Sequence, residues 1–399
     1  MINLYKEKNE CCGCSACASI CPTQAITMEP DEDGFFFPVV NNSKCIRCRM
    51  CLKTCHFRDT KIKGNRPLAA FAAINKDETV LKNSSSGGAF SALASIVLEM
   101  GGVVFGCAFN ERMEPNHIGI DNFFDIEKLQ GSKYVQSKIN NTFIEAKRLL
   151  DQGRIVLYSG TPCQIAGLKS YLGREYNNLL TVDLICHGVP SESFFKDYIS
   201  WLEKKNKWKI ITYKFRDKGK VNMGYSGKVI YIKKNGKIGE RTIYWPLDCY
   251  YYYFLNGDIC RMSCYECKYA SNYRQGDFTL GDYWGVKKIH PEVNTQNGVS
   301  LLLINTETAM GYVDKLSNYL KLVNSDFEQA KKYNGQLNHP VPKSEKREMI
   351  FKTWHTGGYT AVANEFYFKN RKMIVVNQVK IVMLQIIKKI IKILKMFGT

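Results

Sequence analysis

Two runs of cysteine near the N-terminus have the spacing of iron–sulfur ligands. Cys11, Cys14, Cys17 and Cys21 follow C-x2-C-x2-C-x3-C with Pro22 next, and Cys45, Cys48, Cys51 and Cys55 repeat it with His56 in place of the proline. The tight C-x2-C-x2-C loop wraps three corners of a cubane, and the fourth Cys of each run ligates the other cluster. The spacing predicts one [4Fe–4S] cluster on Cys11, Cys14, Cys17 and Cys55 and a second on Cys21, Cys45, Cys48 and Cys51. A zinc site needs four ligands in one closed tetrahedron, which two interleaved runs fit poorly. Cys12 is left over and reads as a small residue packed beside a cluster.

A later group, Cys260, Cys264 and Cys267, has the spacing C-x3-C-x2-C. It suggests a third cluster whose fourth ligand, Cys186 or Cys163, is supplied by the fold. Buried structural cysteines are the plainer alternative. A radical-SAM site shares the spacing but wants an aromatic directly before the last Cys, and Tyr265 stands one place too early. Cys107 and Cys249 read as structural. His187, after Cys186, is a candidate proton donor to a reduced substrate or flavin, against the alternative of a structural loop histidine. No Ser-His-Asp or paired-carboxylate pattern stands out, which speaks against hydrolysis.

These groups need a body to hold them, and 399 residues supply two or three domains. Residues 1–58 form the cysteine-dense module and 59–67 a polar, basic linker ending in Pro. From Leu68 strands and helices alternate. Residues 68–74, 101–109, 154–160 and 179–186 read as strands, and 89–100, 143–153, 161–173 and 192–206 as helices. Such alternation implies a mixed α/β body around a largely parallel sheet, making the chain a multidomain α+β and α/β protein. Period-two texture at 209–245, with Asn235-Gly236 as a hairpin turn, marks an antiparallel insertion.

Two strand-to-helix turns suit a nucleotide. Ser86, Gly87 and Gly88 allow close backbone approach before a helix N-terminus, and Thr161, Pro162 and Gln164 open another helix with a hydroxyl at the cap. Lys133 and Tyr134 add a charge and an aromatic platform. The same turns read equally as tight, well-capped connections, and the G-x-G-x-x-G fingerprint is absent.

The net charge is +19, yet no zinc finger or RNP pattern accompanies it, so nucleic acid is not expected as a partner. Part of the charge sits at residues 369–397, where Ile386, Ile387, Ile390, Ile391, Ile393 and Leu394 supply an apolar face and Lys388, Lys392 and Lys395 a basic one. The apolar runs are too short to span a bilayer. A basic amphipathic helix of this kind lies on a membrane surface, docks on a partner or packs on its own body. Residues 1–10 carry no apolar stretch of the signal-peptide type. The expectation is a cytoplasmic protein with reduced thiols held by iron, peripheral on the inner face of the cell membrane.

Four stretches of the body, SSSGGAFSALA (84–94), GSKYVQS (131–137), SGTPCQIAGL (159–168) and DLICHGVP (183–190), together with CRMSCYECKY…GDFTLGDYWG (260–285), resemble the coenzyme F420 hydrogenase/dehydrogenase beta subunit family. The family motif includes acidic residues after the cysteines, here Asp277 and Asp282. The resemblance implies an N-terminal family domain at 68–150 and a C-terminal one at 151–365, followed by the basic helix at 366–399. It also implies FAD, with Ser86, Gly87, Gly88, Lys133, Tyr134, Thr161, Pro162 and Gln164 at its site. Electrons would pass between a redox partner protein, the clusters, FAD and an organic acceptor. Members include bacterial proteins associated with polysaccharide synthesis, so a non-catalytic electron-transfer subunit or a scaffold is the alternative. The family name alone does not establish F420 as the acceptor.

Overall fold

The computed structural model describes residues 2–58, 64–218 and 225–397; among them the side chains of 388, 389 and 391–397 are not described. Residues 59–63 of the expected linker thus lie outside the described residues. The strands are β1 (Ile26–Pro30), β2 (Phe36–Val40), β3 (Ala69–Asn75), β4 (Val103–Phe109), β5 (Pro115–Ile120), β6 (Val156–Gly160), β7 (Leu179–Leu184), β8 (Trp208–Lys214), β9 (Ser226–Lys233), β10 (Ile238–Tyr244), β11 (Phe278–Asp282), β12 (Ser300–Ile304) and β13 (Leu320–Ser325). The chain folds into two compact units, and neither is one continuous stretch.

The first unit comprises Met1–Gln130, Val135–Glu192 and Cys260–Pro342. Its centre is an eight-stranded sheet in the order β13-β3-β12-β11-β7-β6-β4-β5. The strands alternate faces with the period of two that pleating imposes. Val104, Leu302 and Ile304 join one core with Ala92, Leu93 and Val97 of the Ala89–Glu99 helix. Val103 and Phe105 face Ile165 and Leu168 of the Pro162–Leu172 helix on the other side, and Leu301 and Leu303 pack there with Ala70 and Ala72.

The expectation of a largely parallel sheet is corrected. Only the pairs β4/β6, β6/β7 and β7/β11 are parallel, while β11/β12, β12/β3, β13/β3 and β4/β5 are antiparallel. A continuous apolar run such as Ser300–Ile304 reveals a strand buried on both faces but carries no information about its direction.

The second unit comprises Gly131–Tyr134, Ser193–Ile259 and Lys343–Thr399. It holds the three-stranded antiparallel sheet β10-β9-β8, with Gly236 at positive φ in the hairpin turn. Its interior is aromatic: Phe195 packs edge-on to Tyr213 and Tyr250, and Tyr198 stacks on Tyr250. Helices Arg347–Lys369, interrupted at Gly358, and Arg371–Phe397 complete it. On the last helix Ile374 and Ile381 are buried, whereas Val375, Val379, Val382, Ile386, Ile387 and Ile390 are exposed. Of the side chains expected to form its two faces, Lys388, Ile391, Lys392, Ile393, Leu394 and Lys395 lie outside the described residues.

Candidate iron–sulfur centre

The two N-terminal cysteine loops share a backbone signature. Gly13 and Ser15 between Cys11 and Cys17, and Arg47 and Arg49 between Cys45 and Cys51, all have positive φ, at equivalent places in the two runs. Each loop then enters one short helix, Ala16–Ser19 or Met50–Thr54. A left-handed conformation costs a non-glycine residue roughly 1–2 kcal/mol, and such strain persists where the surroundings over-determine it, typically at functional sites. Successive turns of this kind aim backbone N–H groups into a concavity suited to anionic clusters.

Cys21, Cys45, Cys48 and Cys51 line one cavity together with Ile2, Pro22 and Val40. Burial pushes the Cys51 thiol up, and neighbouring Cys48 and Cys21 add to it. Burial would also raise Cys21, but donors outweigh it and the thiol is lowered; the Ala25 N–H reaches its sulfur at 3.2 Å. Cys11, Cys14, Cys17 and Cys55 gather separately. The Cys17 thiol is raised by burial and then by Cys11 and Cys55, and Cys14 adjoins both Cys11 and Cys17. Burial raises Cys11 as well, against the nearby Arg261 guanidinium.

The later cysteines form a third set in the same unit. Cys186 follows β7, and its thiol is raised by burial and then by Cys163, Cys267 and Cys260. Cys264 responds to burial, Cys186 and Cys267, and burial followed by Cys163 pushes Cys267 up to about 11. An antiparallel bridge between Pro190 and Cys260 pins the two segments together, and Arg261 N–H donates to Val189 O at 2.9 Å. Gly188, at φ +133°, is required here, since a Cβ would lie 2.8 Å from the Cys260 sulfur. Both cysteines weighed as fourth ligand, Cys186 and Cys163, adjoin this set, and Cys163 also touches Cys12. Crowded thiols that hinder one another's ionisation are a donor set suited to a strong Lewis acid such as iron.

A buried ion pair holds the third set in place. Arg274 and Asp183 are 1% and 0% exposed, with Nη2 and Oδ1 3.1 Å apart. Arg274 also donates to Tyr269 O, Ser271 O and Leu184 O. The other Asp183 oxygen accepts from Gln275 N and Gly276 N at 2.7 and 3.1 Å. The chain ends leading to Cys186 and away from Cys267 are thereby tied together.

The segment carrying Cys260–Cys267 also grips the N-terminal module. Arg261, 1% exposed, donates to Cys11 O and Phe36 O at 2.9 and 3.0 Å and lies 3.9 Å over the Phe37 ring. Its Nη2 is buried with no hydrogen-bond partner among the described residues, the kind of donor a cluster sulfur accepts from. Lys268 Nζ donates to His56 O at 2.7 Å. Sequence reasoning noted His56 only as the replacement for a proline and passed over Arg261, Tyr269 and Arg274, which only the cysteines among which they sit signalled.

The residues expected at a flavin site have other engagements. A Cβ on Gly87 would lie 2.0 Å from Ala73 O and 2.5 Å from Ser300 N, so the glycine admits the chain's own strands. Gly87 N–H donates to Ser300 Oγ, Ser86 Oγ donates to Val299 O, and Gly88 O accepts from Asn75. Thr161 caps the helix that begins at Pro162: its N–H and hydroxyl donate to Gln164 Oε1 at 3.0 and 3.1 Å. Gln164 Nε2 donates to Ser137 Oγ. Lys133 and Tyr134 belong to the second unit, where Tyr134 stacks on Phe254 at 4.6 Å and its carbonyl accepts from the Tyr250 hydroxyl. His187 stands between Cys186 and Gly188, with Gln336 Nε2 3.4 Å from its Nδ1.

Residues 10–58 match the model of the 4Fe-4S dicluster domain. Residues 153–329 match that of the C terminus of the coenzyme F420 hydrogenase/dehydrogenase beta subunit. No curated protein matches the chain. Among solved structures, the xenon-derivatized F420-reducing [NiFe] hydrogenase complex from Methanosarcina barkeri contains a similar chain. The identity is 17% over 73% of this chain and 94% of that one, with a TM-score of 0.44.

Proposed function

This chain carries the C-terminal domain of the coenzyme F420 hydrogenase/dehydrogenase beta subunit family behind a 4Fe-4S dicluster domain, and we propose that it moves electrons between a partner redox protein and an organic acceptor through three [4Fe–4S] clusters. The observation that carries this reading is the gathering of three sets of cysteines in one compact unit: Cys11/14/17/55, Cys21/45/48/51 and Cys186/260/264/267. Bound there, the clusters supply one-electron transfer at potentials that the surroundings tune over roughly −700 to +450 mV. The chain's own groups do the tuning. The Ala25 N–H and the Arg261 guanidinium favour added negative charge, and Gly188 lets backbone close over Cys260.

FAD between clusters and acceptor, with His187 as proton donor, is the finer part of the reading and comes from the family resemblance. The polar groups of Ser86, Gly87, Thr161 and Gln164 are engaged within the chain and do not fit a pyrophosphate cradle. We therefore assign no step to flavin. The same engagement favours a second reading, a subunit that relays electrons to a partner enzyme without flavin of its own. Anaerobic purification with FAD offered during reconstitution separates the two. One flavin retained per chain supports the oxidoreductase, and full iron and sulfide without flavin supports the relay. Absence of iron overturns both.

We infer that the chain docks peripherally on an anionic membrane surface through its last helix. No described helix is long and apolar enough to cross a membrane. Along Arg371–Phe397 the exposed Val375, Val379, Val382, Ile386 and Ile390 recur at helical spacing, and the 27-residue segment carries seven Lys or Arg and no acidic residue. Apolar insertion and about 1 kcal/mol per basic residue near an anionic leaflet act together. A double Val379→Glu, Ile386→Glu variant touches only exposed positions. It should lose co-sedimentation with anionic vesicles; sedimentation equal to the parent contradicts membrane docking.

A further inference from the structure

His56 occupies the place that Pro22 holds after the first cysteine run, and the fold gives it a specific task. Its Nε2 lies 3.3 Å from the Cys14 sulfur and 3.9 Å from that of Cys12. Its Nδ1 is hydrogen-bonded to the Tyr269 hydroxyl. Phe57 and Tyr269 flank the ring at 6.1 and 5.7 Å. Lys268 fixes its carbonyl. On the remaining side the Pro162–Leu172 helix comes so close that a Cβ on Gly167 would lie 2.9 Å from the Cys14 sulfur and 3.5 Å from His56 Nε2. The imidazole is therefore locked in orientation at the sulfur of one cysteine, with little room for water between them.

The three groups His56, Cys14 and Cys12 lie within 4.8 Å of one another, an arrangement open to metal ligation by the histidine itself. Cys11, Cys14, Cys17 and Cys55 already offer a cubane its four thiolates, which leaves the histidine to donate rather than to ligate. A metal-bound cysteine sulfur only accepts, whereas a phenol hydroxyl can donate. The consistent tautomer has the Tyr269 O–H donating to Nδ1 and Nε2–H pointing at the Cys14 sulfur. A hydrogen bond to a cluster sulfur stabilises the more negative, reduced state and raises the potential.

Resting on the assignment of Cys11, Cys14, Cys17 and Cys55 to one cluster, we propose that His56 is a positioning residue that raises that cluster's reduction potential through an Nε2–H···S bond to Cys14. Tyr269, two residues beyond Cys267, holds the imidazole. The potential of the N-terminal cluster is thereby linked to the segment that carries the third set of cysteines.

The test is an EPR-monitored redox titration of the anaerobically purified full chain and its variants, with iron and sulfide measured on each. His56→Phe should keep its iron and shift one cluster alone by about tenfold in the one-electron equilibrium, to lower potential by about 59 mV. His56→Gln, which restores an N–H donor, should recover part of the shift, and Tyr269→Phe should give a smaller shift of the same sign. Should His56→Phe fail to load iron, the Tyr269→Phe result decides. Unchanged potentials in an iron-replete variant overturn the proposal while leaving the cluster assignment intact. Strong nitrogen hyperfine coupling in the parent, the mark of direct His56 ligation, overturns it as well. A parent without iron would instead refute the cluster assignment.

Discussion

The two cysteine regions of the first unit gather their candidate ligands by opposite routes. In the N-terminal module every candidate ligand lies within 45 residues, and the loops carry their own geometry in the positive-φ pairs Gly13/Ser15 and Arg47/Arg49. Its own core cluster is small, with Leu4, Ile26 and Cys51 at its centre, and Ala16, Ala25, Phe35 and Phe37 are buried besides. The later set is recruited across the fold. Cys186 hangs from the end of β7, Cys260–Cys267 sits some 75 residues further on, and the Asp183–Arg274 pair ties the two. One site is built by local spacing and the other by a sheet, so the first should depend on iron for its shape and the second on the protein core.

The largest effect expected from that contrast is at Asp183. Removing one partner of a buried pair leaves an uncompensated charge, and Asp183→Ala should cost about 3–5 kcal/mol in denaturant unfolding. It should also strip iron from the later set before the N-terminal sets. Arg174→Ala breaks an exposed pair with Asp151, whose side chains are 66% and 38% exposed, and should cost far less than Asp183→Ala. Equal costs for the two variants would break the comparison.

Next comes removal of iron by a chelator under anaerobic reduction. Metal binding is folding energy for a module with so small a core. Proteolysis should then cut first within residues 2–58, while the segment around Cys260–Cys267 stays protected by β7 and β11. Cleavage at both regions at the same rate would place their shape under one control.

Glycine packing gives a smaller effect. Gly87→Ala drives a methyl against Ala73 O and Ser300 N and should cost about 1–3 kcal/mol, the usual range for overpacking. Iron content should not change. Smallest of all, Arg49→Gly relieves a left-handed residue and should stabilise the iron-loaded module by no more than about 1 kcal/mol. A destabilised, iron-poor Arg49→Gly would mean that the side chain, not the backbone, shapes the loop.

The contrast also explains what was legible in the sequence. The dicluster domain was legible, because a tight ligand loop leaves a fixed spacing. The helix at 192–206, the strands of the β/α alternation and the Asn235-Gly236 hairpin were legible from periodicity and turn chemistry. Strand direction was not, so β3 was counted in a largely parallel sheet, and β12 was not read as a strand at all. β5 and β13 carry too few apolar residues to stand out. The buried pair of Asp183 and Arg274 was equally hidden, since residues 91 positions apart share no local pattern. The glycine turn at Gly87-Gly88 was recognised as special for close approach, but the approaching groups are Ala73 and Ser300 of the chain itself.

The central claim is that the later cysteines hold iron as the N-terminal ones do. It is tested most directly by iron and acid-labile sulfide per chain in anaerobically purified parent and Cys264→Ser proteins. Three cubanes require about twelve irons in the parent and about eight in the variant. About eight in both would contradict the claim, leaving Cys186, Cys260, Cys264 and Cys267 as packing residues of the α/β unit.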